Sequence, residues 1–176
     1  MKAGKTMNAV LPFPSHGESP SQALDLSELI HEVCDDLDAK RVASRVSIEI
    51  DAPPYTMIHA DRACLRQAIE SLLLATFAAS PLGSDVVLTT FSDETGVELE
   101  IASGGAFPAV GASRTDSSAE GLVSGASWQG IWSEIRRAVH RDGAEISMGD
   151  CPDGGLAFTL HFPRAAGETD KARRAA

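Results

Sequence analysis

The sequence predicts an α/β fold, a two-layer sandwich in which about three helices cover one side of a mixed sheet. Three segments repeat their apolar residues every three or four positions, as amphipathic helices do. Each is followed by two segments in which apolar and polar residues alternate, as in half-buried strands. Elements in this order form layers around one core. The 176 residues suit a single domain, which we place at 21–163.

The two ends of the chain are expected to be disordered. Residues 1–20 contain three prolines and no apolar period, and residues 164–176, after Pro163, are rich in Ala, Arg and Lys. We therefore expect the domain to begin at about residue 21, just before the first regularly spaced apolar residues.

The first helix is expected to start after a cap at Asp25 or Ser27. Two strands follow, at 46–51 and 55–60, separated by two prolines. Because they are short and close in sequence, we expect them to pair. The apolar residues of the helix share one face: Leu26, Leu29, Ile30, Val33 and Leu37.

The second helix is the most apolar one. Asp61 is its expected cap, and the segment 80–83, Ser-Pro-Leu-Gly, ends it. A hairpin follows, with strands at 86–91 and 97–101 around a polar turn. The apolar face of the helix is formed by Leu65, Ile69, Leu72, Leu73 and Phe77.

The remaining chain predicts a loop, a helix and a second hairpin. Residues 103–127 are mostly Gly, Ala and Ser without a period, and they form either a lid-like flexible loop or a slack linker. The third helix begins at about Trp128 and stops at Asp142-Gly143. Apolar and polar residues then alternate on both sides of a turn at 152–155, and this pattern predicts the last two strands.

Charge and composition exclude several classes of function. The chain carries 25 acidic and 15 basic residues, and this balance argues against nucleic-acid binding. The longest apolar run, 72–79, is too short to span a membrane. Three widely spaced cysteines without a CxxC pair are typical of reduced thiols, and we expect a cytoplasmic protein.

Several segments together resemble the ATP-binding domain of sensor histidine kinases, a GHKL-superfamily domain with the Bergerat fold. The sequence DLSEL at 25–29 is similar to its opening helix, and ADRACLRQAI at 60–69 to the approach to its Asn-bearing helix. Residues 135–146 and the sequence PDGGLAFTLHFP at 152–163 are similar to its closing helix and hairpin. The resemblance covers about 25–163 and implies the same fold.

The resemblance also implies where a nucleotide would bind. The Asn pair of the family, whose second member binds magnesium, aligns with Ser71 and Ala75. Alanine offers no oxygen to a hard cation. Glu70 lies next to Ser71, but a shift of one residue turns a side chain by about 100° around a helix, away from the pocket. The magnesium ligand is therefore expected to be lost.

The adenine and phosphate contacts are also expected to be lost. The adenine-binding Asp of the family aligns with Ser103, which cannot supply a charged acceptor. Two glycines remain, Gly105 after this position and Gly130 from the phosphate-binding lid. We expect no catalytic residue, no metal and no cofactor, and a vestigial nucleotide pocket at Glu70, Ser71, Ala75, Ser103, Gly105 and Gly130.

Trp128 and Trp132 lie four residues apart on the third helix. Such a pair can form an aromatic anchor for a protein partner. Alternatively, the two rings fill the former nucleotide cavity or cover the core.

The resemblance and these losses together predict a non-catalytic regulatory or protein-interaction module in bacterial two-component signalling. Its expected partner is a histidine kinase, a phosphoacceptor protein or a response regulator, with a homodimer as an open alternative and no nucleic-acid or membrane partner. A second hypothesis is a divergent histidine kinase fragment or anti-sigma-type kinase that still binds ATP and Mg²⁺. A third is a histidine-phosphotransferase-related module without its phosphoacceptor hairpin.

Overall fold

The structure, a computed structural model, describes residues 21–104, 128–151 and 155–164, and for residues 128 and 129 it describes the backbone only. Almost all of the predicted loop and of both predicted disordered ends falls outside this part. The described elements, in chain order, are β1 (Gln22–Asp25), α1 (Leu26–Asp36), α2 (Asp38–Ser44), β2 (Ser47–Asp51), β3 (Met57–Ala60), α3 (Arg62–Ala79), β4 (Asp85–Ser92), β5 (Gly96–Ser103), α4 (Trp128–His140), β6 (Glu145–Asp150) and β7 (Leu156–Pro163).

The main sheet is mixed, as predicted. Its five strands lie in the order β2-β4-β5-β7-β6, and a separate two-stranded sheet joins β1 to β3. Strand β2 runs parallel to β4, and the other neighbours in the main sheet are antiparallel. The α/β sandwich is therefore confirmed, with the short α2 added to the three predicted helices.

The two faces of the main sheet differ sharply. On β5, Leu99 and Ile101 are fully buried, whereas Glu98 and Glu100, which alternate with them, are exposed. The buried face joins the apolar sides of the helices in one core cluster. Burial of this apolar surface is the main stabilising term, at roughly 25 cal/mol per Å². Among the described residues, no helix has the length and apolar character needed to cross a bilayer.

The predicted helix caps are confirmed. The Asp25 carboxylate accepts the amide of Ser27 at 3.0 Å and caps α1. The Asp61 carboxylate accepts the amides of Ala63 at 3.0 Å and Cys64 at 3.1 Å and caps α3. These bonds satisfy helix N–H groups that have no partner within the helix.

The predicted pairing of the strands at 46–51 and 55–60, which correspond to β2 and β3, is wrong. Strand β3 pairs with β1, in the register Gln22 to Ala60, and β2 pairs with β4. Between them, Tyr55 has φ 63°, and the amide of Leu26 bonds the carbonyl of Thr56 at 2.9 Å. The turn thus directs β3 toward the start of α1 rather than back along β2.

Candidate functional site

Helix α3, which carries half of the predicted pocket, is fixed at its start by buried Asp61. Besides capping the helix, Asp61 lies 3.8 Å from the Arg141 guanidinium, just beyond α4. The Asp61 amide donates to the Asp142 carboxylate at 2.8 Å. The beginning of α3 is therefore joined to the end of α4, and the two helices lie side by side over the sheet.

Glu70 is held in an ion-pair cluster between α1 and α3. Arg66 contacts Glu70 and Glu32, each at 3.3 Å, and also bonds Asp36. Arg62 forms a second ion pair with Glu32. Because Arg66 lies one turn before Glu70 on α3, the pair draws this carboxylate toward α1.

Ser71 and Ala75 lie one turn apart on α3. Ser71 is half-buried, and Ala75 is 6% exposed. The next residue, Thr76, is buried and donates its hydroxyl to the carbonyl of Leu72 at 2.8 Å. That hydroxyl is used within the helix, as is common for threonine in helices.

Ser103 lies at the end of β5 on the buried face of the sheet, with 5% of its surface exposed. Its strand neighbours are Val86 and Leu156. Gly155 has φ 100°, and a Cβ atom built on it would lie 2.0 Å from the carbonyl oxygen of Ser103. The start of β7 therefore packs directly on the backbone at 103–104, and only glycine permits this approach.

Trp132 covers the core. It is half-buried, and its ring centroid lies 5.8 Å from that of Phe158 at a tilt of 38°. An aromatic pair of this geometry stabilises packing beyond the area that it buries. This contact favours the core-covering interpretation of Trp132 over the anchor interpretation, which stays a prediction.

Two further predicted positions are on or near α4. Gly130 lies within the first turn of α4 and is exposed. Trp128 begins the helix, but its side chain is outside the described part, and so is Gly105.

Two cysteines are buried, Cys34 on α1 and Cys64 on α3. Burial, with a smaller contribution from Asp35, raises the pKa of the Cys34 thiol from 9.0 to about 11. Burial and neighbouring Asp61 likewise raise the pKa of Cys64. Both thiols are therefore protonated at neutral pH and are poor nucleophiles.

The architecture closely matches solved histidine kinase domains. The catalytic domain of histidine kinase ThkA superimposes with a TM-score of 0.66 at 18% identity, covering 82% of this chain and 96% of that one. The ATP-binding domain of PrrB from Mycobacterium tuberculosis gives 0.60 at 20%, covering 83% and 98%. The fold is that of the histidine kinase ATP-binding domain.

Other comparisons agree on the fold. The cytoplasmic segment of histidine kinase QseC superimposes with a TM-score of 0.63 at 14% identity, covering 83% of this chain and 80% of that one. ThkA in complex with the response regulator TrrA gives 0.64 at 19% identity, covering 84% of this chain and 43% of that one. No protein-family model and no curated protein matches the sequence.

The position on α3 that the family alignment assigns to the magnesium ligand carries no oxygen. Mg²⁺ takes oxygen ligands in near-octahedral geometry. The only carboxylate on α3 is Glu70, which is paired with Arg66, and Ala75 has no side-chain oxygen. Within the described residues, no group of three His, Cys, Asp or Glu side chains could hold a metal ion.

The ion-pair cluster was not predicted from the sequence. Glu32 and Asp36 lie four residues apart on α1, and Arg62 and Arg66 lie four residues apart on α3. Two helices with opposite charges at the same spacing can pair side by side. This matched spacing is the feature of the sequence from which the ion-pair cluster could have been predicted.

Proposed function

We propose that this chain is a non-catalytic, histidine kinase-like regulatory or protein-interaction module of bacterial two-component signalling. The fold supports the kinase-like part of the proposal. The non-catalytic part of the proposal rests on one observation about α3. The only carboxylate on this helix, that of Glu70, forms an ion pair with Arg66. A domain that has no side-chain oxygen at the expected magnesium position, Ala75, lacks the ligand that would hold the cation beside bound phosphates.

The β5 position supports the same conclusion. Ser103 is buried and carries a hydroxyl where the family places a carboxylate. A hydroxyl gives a weaker hydrogen bond to an exocyclic amine than a charged acceptor does, by roughly a factor of two. Adenine and magnesium contacts are thus both reduced.

The test is a titration of the pure protein with ATP, with and without Mg²⁺, by calorimetry and tryptophan fluorescence. We expect no saturable binding up to millimolar nucleotide. Trp132 lies against Phe158 on the buried face, so it reports on a nucleotide that enters between sheet and helices. Saturable binding tighter than about 100 μM, or about −5.5 kcal/mol, would overturn the proposal in favour of an ATP-binding kinase.

A matched variant separates specific from nonspecific binding. Ser103→Ala removes the only side-chain oxygen at the predicted adenine position and keeps the strand. If the wild type and Ser103→Ala give the same small heat of binding on titration with ATP, the binding is nonspecific and the proposal stands. A loss of binding in Ser103→Ala would place adenine at this position and contradict the proposal.

The proposed partner is a protein of the same signalling system. ThkA has been solved in complex with the response regulator TrrA, and a chain of the same fold can present similar surfaces. The test is sedimentation of this chain with receiver and phosphoacceptor proteins encoded beside its gene. We expect a complex with one of them without ATP, and failure of all of them to bind would count against the proposal.

A further inference from the structure

The main sheet has an acidic face opposite the helices, called the uncovered face here because no element among the described residues lies on it. Along each strand the residues of this face alternate with the buried ones, and the strand registers align them in rows across the sheet. One row runs through Phe91, Glu98, His161 and Glu145, and the next through Asp51, Thr89, Glu100, Thr159 and Ser147. The exposed carboxylates of the face are those of Glu49, Asp51, Asp85, Glu98, Glu100 and Glu145.

These carboxylates have no cationic partner among the described residues. The acids between α1 and α3 are paired with Arg62 and Arg66, whereas no ion pair within the described part of the chain joins an acid of the sheet face to a cation. The strands contribute no Lys or Arg to the face, and His161 is the only other ionisable group that the described strands place on it. Phe91 is also 60% exposed at one end of the face. A segment that contains Lys and Arg suits such a surface. Their charged ends can approach the carboxylates while their methylene chains contact apolar side chains such as Phe91.

The chain itself continues from this face into a basic segment. Pro163 lies opposite Gly96 at the end of β7, and the amide of Arg164 bonds the carbonyl of Thr95 at 3.0 Å. Residues 165–176 then contain Lys171, Arg173 and Arg174, together with two acidic residues. The segment therefore leaves the sheet beside the row that contains Glu98 and Glu145.

The lengths also agree. Seven residues from Arg164 to Lys171 span up to about 23 Å. From β7 to β2 is three strand spacings, or roughly 14 Å, and adjacent rows are roughly 7 Å apart. The carboxylates of the two rows nearest Arg164, those of Glu98, Glu145, Glu100 and Asp51, are thus within reach of Lys171. A tether this short gives an effective concentration of about a millimolar, far above that of a separate partner.

We propose that residues 165–176 lie across the uncovered face of the sheet, with Lys171, Arg173 and Arg174 beside its carboxylates. This inference is independent of the proposed function, because it concerns the face opposite the helices. A basic partner would then have to displace the segment before it could bind there.

The test is zero-length crosslinking of the full chain with a carbodiimide, which condenses a lysine amine with a carboxylate in direct contact and releases water to the reagent. The chain has four lysines, so the products can be assigned by peptide mass spectrometry. We expect Lys171 linked to Glu98, Glu100 or Asp51. High salt should reduce the yield several-fold, because exposed charges are screened.

Two controls make the result decisive. The variant Glu98→Gln/Glu100→Gln should lose most of the link, whereas Glu28→Gln, an exposed acid on α1, should leave it unchanged. A mixture of ¹⁴N and ¹⁵N protein distinguishes links within one chain from links between copies. Links only between copies, links only to Glu168 or Asp170, or links to α1 acids in place of the sheet face would each overturn the proposal.

Discussion

At Gly155, two strands approach each other more closely than a side chain would allow. We expect Gly155→Ala to lower the free energy of unfolding by about 2 kcal/mol or more, because the residue has φ 100° and the new Cβ would lie 2.0 Å from the carbonyl oxygen of Ser103. Urea unfolding measures the change. The matched control is Gly149→Ala on β6, where no atom lies within 4 Å of the new Cβ, and its effect should stay within about 0.5 kcal/mol. Equal effects of the two substitutions would show that the close approach is absent.

The Cys34 thiol should make stability depend on pH in the alkaline range. Burial raises its pKa from 9.0 to about 11, so above pH 9 the unfolded chain releases a proton that the folded chain keeps. The free energy of unfolding therefore falls as pH rises from about 9 and levels off above about 11, by on the order of 2 kcal/mol for this group. Below pH 9 the thiol contributes no pH dependence.

The measurement compares urea unfolding at several pH values between about 8 and 11 for the wild type and Cys34→Ala. The variant should show a shallower decline, whatever its stability at neutral pH. Val42→Ala, which changes an exposed side chain without an ionisable group, serves as the control and should keep the wild-type slope. Parallel curves for the wild type and Cys34→Ala would contradict the prediction.

At the scale of elements, Arg66 connects α1 to α3. Its side chain is 28% exposed and contacts three carboxylates, those of Glu32, Asp36 and Glu70. We expect Arg66→Ala to cost about 1–2 kcal/mol at low salt, because a network of partly buried charges is stabilising and three acids then lose their cation. The loss should shrink in high salt, since screening weakens both the network and the repulsion that remains.

Urea unfolding at low and high salt tests this, with Arg41→Ala as the control. Arg41 has one ion-pair partner among the described residues, Asp38 of the short α2, whose carboxylate is 61% exposed, and it also donates to the carbonyl of Val46 at 3.2 Å. Its removal should cost less than about 1 kcal/mol and should change little with salt, because a single exposed ion pair contributes little. If the two substitutions cost the same, Arg66 would act as an ordinary surface residue.

The three long helices and both hairpins could be predicted because their patterns are local. Asp61, Pro81 and the apolar period of α3 all lie within one short segment. Helix α2 was missed because it has no buried residue and thus no apolar face, and β1 because it has only four residues. The partner of β2 could not be predicted, since the parallel contact with β4 spans more than thirty residues and depends on where α3 packs.

The candidate site shows the same division between local and long-range information. The absence of an oxygen at Ala75 and of a carboxylate at Ser103 can be read from the sequence once the family alignment is made. That Glu70 is engaged by Arg66 and drawn toward α1 depends on the packing of two helices. The core contact of Trp132 with Phe158 likewise joins residues far apart in sequence.

At the scale of the whole molecule, the helices and the main sheet share one apolar core. Buried residues of α1, α3, α4 and the sheet belong to the same cluster, and Trp132 packs against it. A domain with a single core of this size unfolds as one cooperative unit. We therefore expect fluorescence and far-ultraviolet circular dichroism to give the same urea midpoint.

The variant Trp128→Phe makes this test specific, because Trp132 is then the only tryptophan and reports on the contact between α4 and β7. Its midpoint should equal that of the circular dichroism curve within about 0.1 M urea, since loss of α4 would expose Ile131, Ile135 and Val139 and open the core. A fluorescence transition at distinctly lower urea would show that α4 separates first. In that case the helix would be held mainly by the contacts of Arg141 and Asp142 with Asp61, rather than by the common core.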